Sequence, residues 1–107
     1  MQSDTVFWQV GANMGMHEAT HAGDYDLVHN ASTFVMKQLA YFASNLKNVP
    51  VGSGTLLDQC CIIAASEYGD ATAHSWHNLP ILFLGRAGGK LKSGLHIDMG
   101  GDNVSKA

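Results

Sequence analysis

The chain has 107 residues, 46% of them hydrophobic and only 14% charged, with a net charge of −3 when histidine is neutral. That bounds a single domain with a modest core, and six scattered Lys and Arg exclude a nucleic-acid footprint or a polybasic membrane patch. No apolar run nears the roughly 20 residues of a membrane span.

The chain opens "MQSDTVFW" with no basic n-region of a signal peptide. Residues 5–10, "TVFWQV", alternate weakly and predict a strand. A loop rich in Gly, His and acids follows over 11–26, with room for one short helical turn. The clearest element is a helix over 26–47. Val28, Ala31, Val35, Leu39, Phe42 and Leu46 recur at steps of three and four, and Leu27 and Phe34 widen the stripe. Phe34, Tyr41 and Phe42 are therefore expected in the core. Asp24 and Asp26 stand at the helix start and Lys47 in its last turn, as the dipole favours, and Asn48-Val49-Pro50 stops it.

"VGSG" reads as a loop, and 57–65 as a strand buried on both faces. It contains the only cysteines, Cys60 and Cys61, read as small buried hydrophobes. The next loop, "EYGDATAHSWHNLP", is too long for a hairpin turn, with Trp76 as a packing lid. "ILFLG", 81–85, is a second buried strand, and Gly-punctuated segments follow. Strand, helix, buried strand, long loop and buried strand imply an α/β fold with a mainly parallel sheet and a flanking helix. In such sheets ligands gather where loops leave the carboxyl ends of strands, so the His-rich loops 11–26 and 66–79 are expected to meet on one edge. Asp102 or Asn103 is placed to cap a helix, but the sequence stops about one turn later, which together with the low charged share predicts a single partial domain, 1–107, cut from a larger one.

Three patterns invite a chemical reading. His17-Glu18-Ala19-Thr20-His21 fits H-E-x-x-H. Two imidazoles four apart on a helix share a face and can hold one Zn²⁺, with the Glu as base toward the metal-bound water. Gly11, Gly15 and Gly23 crowd it, and Asp24 and Leu27 stand where the extended metzincin form has Gly and His. Secondly, His17, His21, Glu67, His74 and His77 together form a plausible set for a divalent ion (Zn, Ca or Mg), with His29 nearby at the helix start. The alternative is a wet polar loop whose histidines bond to backbone. Thirdly, "GRAGGK" is one residue short of a phosphate loop and lacks its Ser/Thr, so Gly-rich turns explain it better. Ser44-Asn45-Leu46-Lys47 and Lys92-Ser93-Gly94 lie too close in sequence for a penicillin-binding enzyme.

"HEATHAGDYD" and then "GTLLD…SEYGD…H…HNLPILFLGRAGGKLKSGLHI" resemble, over residues 17–97, the C-terminal part of a bacterial family catalogued as domain of unknown function 1552. Its relative 1501 carries an "SEFG" signature and is placed in the alkaline-phosphatase and sulfatase superfamily. The resemblance implies a fragment of an alkaline-phosphatase-like sandwich whose loops hold two divalent metals around a small anionic phosphate or sulfate ester. His17 and His21 match its first metal segment, Ser66-Glu67-Tyr68-Gly69 the second, and His74 or His77 the third. Glu67 stands where that superfamily has Asp, and Tyr68 where it has a metal-binding His. The nucleophile would lie upstream of Met1, so no turnover is expected of this chain alone.

The alternatives are a non-catalytic binding or structural protein of the same fold and a small zinc peptidase. Self-association through an exposed sheet edge is a further expectation. The resemblance implies export of full-length relatives, many of which carry export signals, and the location of this chain is left open.

Overall fold

The computed structural model describes residues 4–100. The chain divides into two compact units at Ala40 and Tyr41.

In the first unit a 3₁₀ turn, Trp8–Val10, precedes helix α1, Met16–Ala22. The strand expected over 5–10 is not there. Val10 and Gly11 N–H donate back to Phe7 and Trp8 carbonyls, and Gly11, at φ 78°, closes the turn in the left-handed region. α1 lies between two glycines that bound it rather than interrupt it. Gly15 is its extended N-cap and Gly23 its left-handed C-cap. At the C-terminus, Gly23 N–H donates to Thr20 and Asp24 N–H to Ala19, a Schellman closure. Asp24 then starts α2, Tyr25–Lys47, by accepting from Leu27 N–H at 3.0 Å. The sequence placed both ends of α2 within a residue.

Packing in this unit is thin. Ala19 and Ala31 are fully buried and Thr20 nearly so, its hydroxyl donating to the Met16 carbonyl. Phe7 meets Phe34 edge-on at 6.2 Å.

In the second unit Tyr41 is 69% and Phe42 50% exposed, against the core placement expected for them. After α2 comes a tight hairpin, β1 Pro50–Val51 and β2 Gly54–Thr55. Gly52 at φ 58° supplies the positive angle a two-residue turn needs at its first position. One helical turn, α3 Leu56–Gln59, follows. Its start is a capping box: Asp58 N–H donates to the Thr55 hydroxyl while the Asp58 carboxylate accepts from Thr55 N–H.

β3, Cys61–Ala65, and β4, Ile81–Gly85, pair antiparallel with Cys61 opposite Gly85 and Ala65 opposite Ile81. Both described sheets are two-stranded and antiparallel. The expected α/β architecture with a parallel sheet, and with it the alkaline-phosphatase-like sandwich, is therefore corrected. The long loop 66–80 does not carry the chain across a sheet. It folds back on itself through a bridge between Asp70 and Ser75, and Ser66 N–H reaches the Pro80 carbonyl.

The expected strand over 57–65 is likewise split, its first part taken by α3. β3 alternates exposed and half-buried instead of being covered on both faces. Ile63 and Phe83, cross-strand partners, are each about 60% exposed. Cys61 is exposed, Cys60 half-buried and Trp76 61% exposed, so neither the buried-cysteine nor the packing-lid expectation holds. Gly85, at φ 95°, ends β4 where a Cβ would strike the Cys60 and Leu57 carbonyls. A second 3₁₀ turn, Ala87–Gly89, follows. No helix among the described residues is long and apolar enough to cross a membrane. The cap expected at Asp102 or Asn103 lies outside the described residues.

Candidate metal centre

α1 turns its small side chains inward, with Ala19 and Thr20 buried, and this orients the opposite face outward. His17, Glu18 and His21 occupy that outer face and are exposed. The two imidazoles sit on successive turns with ring centroids 4.7 Å apart and planes at 74°. Helical periodicity sets this spacing without help from a folded pocket.

The helix is held at its start by a residue far away in sequence. The Asp4 carboxylate accepts from His17 N–H at 2.8 Å through one oxygen and from Glu18 N–H at 3.1 Å through the other. Thr5 adds its carbonyl to Met16 N–H at 3.0 Å. Three of the four N–H groups that a helix start leaves without internal partners are thereby satisfied, and a negative charge lies where the dipole favours one. Gly15 is needed there, because a Cβ would collide with the Asp4 carboxylate.

The other expected ligands belong to loop 66–80 of the second unit. Asp70 organises this loop. Its side chain accepts from Thr72 and Ala73 N–H at 3.0 and 3.1 Å, and its backbone exchanges hydrogen bonds with Ser75. His74 takes a left-handed φ of 51° and stacks on Tyr68 at 4.9 Å. His77 N–H donates to the Ser75 hydroxyl at 3.2 Å. Gly69 passes so close to the His77 carbonyl that no Cβ fits. Glu67 precedes these residues in the same loop and is exposed. Within each unit, then, the structure groups His17 with His21, and Tyr68 with His74. His29 lies on the exposed side of α2.

Two features, one at the start of α1 and one at the start of α3, carry little or no sequence signal. Asp4 has no local signal, since its bond partners lie thirteen and fourteen residues on. The Thr55-x-x-Asp58 cap did have one, the T-x-x-D spacing, hidden by the apolar run around it. Hydrogen bonds from the Thr55 hydroxyl and backbone hold the Asp58 carboxyl below its ordinary range, with Arg86 and Lys47 adding to the effect and desolvation opposing it.

No family model, curated protein or solved structure matches the chain.

Proposed function

We propose that the chain is a divalent-metal-binding protein whose ion is held by His17 and His21 on α1. The observation that carries this reading is the pair of exposed imidazoles on successive turns of a helix capped at both ends, 4.7 Å apart. Neutral imidazole nitrogens suit Zn²⁺ and its neighbours in the first transition row better than Ca²⁺ or Mg²⁺, which prefer oxygen. Two protein ligands supply half of a tetrahedral set, leaving positions for water or for further side chains.

The exposed face favours binding over turnover. A metal that activates water for hydrolysis works in a dry, shaped cavity, and His17, Glu18 and His21 are all exposed. The ester-hydrolase reading rests on a family resemblance that implies a parallel-sheet frame, and the two described sheets are antiparallel. One observation favours a second reading as a zinc peptidase: His17, Glu18 and His21 lie on one continuous helix, the first condition such an enzyme sets.

Cobalt titration followed by visible absorption tests the proposal. One Co²⁺ per chain is expected, with the spectrum lost in His17→Ala and in His21→Ala and retained in Glu18→Gln. Absence of a cobalt spectrum in the unmodified chain would overturn it. Casein cleavage by the zinc-loaded chain, abolished by Glu18→Gln, would install the peptidase reading in its place.

A further inference from the structure

A cleft of about 590 Å³ lies in the second unit, and none of the described residues that line it is a histidine. Two tight turns and one capped helical turn shape it. Residues 52–54 of the β1–β2 turn line it, as do Asp58 and Gln59 of α3 and Arg86 in the turn after β4. Its volume falls within the roughly 300–1,000 Å³ of small-molecule sites.

The backbone around it is tied down. Ala87 N–H donates to the Cys60 carbonyl at 2.8 Å, and the Arg86 carbonyl accepts from Gly89 and Leu91 N–H at 2.8 and 3.0 Å. This lock holds Ala87 at φ 47°, a left-handed angle that a residue with a Cβ adopts only when its surroundings impose it. On the other side, one Asp58 oxygen, Oδ2, accepts from Thr55 N–H and Thr55 Oγ1, both at 2.8 Å. A carboxylate has about four lone-pair sites in all, so Asp58 retains capacity for a donor in the cleft.

The charges on the walls are opposite. Arg86 presents a planar fork of N–H donors matched to a carboxylate, and Asp58 presents an acceptor for an ammonium group. A ligand carrying only negative charge would meet Asp58, and one carrying only positive charge would meet Arg86. We propose that this cleft binds a small zwitterion of the amino-acid or dipeptide class, its carboxylate on Arg86 and its ammonium on Asp58. The Gln59 amide and Ser53 hydroxyl are available for the polar groups between those ends.

The test is a titration of the full chain with glycylglycine, followed by backbone amide shifts. N-acetylglycine, glycinamide and inorganic phosphate serve as probes that carry charge of one sign only. Glycylglycine is expected to saturate, shifting the amides of residues 52–54 and 86–89. Each one-sign probe should bind about tenfold more weakly or worse, the scale of one lost charge-assisted hydrogen bond. Arg86→Gln should weaken glycylglycine to the same degree while leaving the amide spectrum of β3 and β4 in place. Three results would each overturn the proposal: no saturation by glycylglycine at millimolar concentration, N-acetylglycine or phosphate binding as well as glycylglycine, or unchanged binding in Arg86→Gln.

Discussion

On α1, His17 and His21 owe their spacing to the helix itself, whereas in loop 66–80 the placement of His74 and His77 depends on a web of turns. The α1 pair needs only that the helix persist, which the Asp4 carboxylate at one end and the Gly23 closure at the other secure. The loop histidines need the Asp70 side chain, the Asp70–Ser75 bridge, a left-handed His74 and a glycine at position 69 all at once. Regular secondary structure thus fixes a ligand pair at low cost, and a loop fixes one only through several cooperating contacts. That difference is why the α1 pair carries the functional proposal.

The sharpest way to separate the two segments is Gly69→Ala. Its methyl would overlap the His77 carbonyl, so the loop must open. Overpacking of this kind costs about 1–3 kcal/mol. Amide exchange should accelerate across 66–80 and leave 16–22 unchanged; equal acceleration in both would show that the two segments are not independently held.

Asp4→Ala probes the other side of the comparison. Loss of the cap should destabilise α1 by about 1 kcal/mol, speed exchange of the His17 and Glu18 amides, and weaken metal binding severalfold through fraying. Unchanged amide exchange at both positions would remove Asp4 from the account.

A smaller effect is expected from acid. Because the Asp58 carboxyl sits below its ordinary range in the folded chain, its contribution is present above the unfolded-state value and lost as pH falls through the folded one. Asp58→Asn should therefore flatten the acid limb of the second unit's melting profile. The amides of α1 should follow the same pH course in both proteins. An identical acid limb in Asp58→Asn and wild type would refute the assignment.

The sequence made some of this legible and hid the rest for physical reasons. The 3.6-residue stripe placed α2 because periodicity is a local property, and β4 was visible as a short apolar run between a proline and a glycine-rich turn. Strand direction was not, since an apolar run says nothing of which way its partner runs. The length of 66–80 argued against a hairpin only while the loop was imagined as open. Its fold-back at Asp70 and Ser75 shortens the distance it must span. α3 is hidden inside an apolar run, and residues 5–10 alternate weakly, as a strand would, where Gly11 closes a turn instead. At the site, the His17–His21 spacing was readable because a helix converts four residues into one face. The glycines flanking it looked like breakers because sequence alone does not distinguish a cap from an interruption, and Asp4 was invisible because its bond spans a fold rather than a turn.

The central claim is that His17 and His21 hold a divalent ion. Native mass spectrometry of the zinc-reconstituted chain tests it most directly, with His17→Ala/His21→Ala and Glu67→Ala/His77→Ala measured alongside. One ion per chain is expected in wild type and in the second double variant, and none in the first. A wild-type chain that stays empty, or a His17→Ala/His21→Ala chain that keeps its ion, would contradict it.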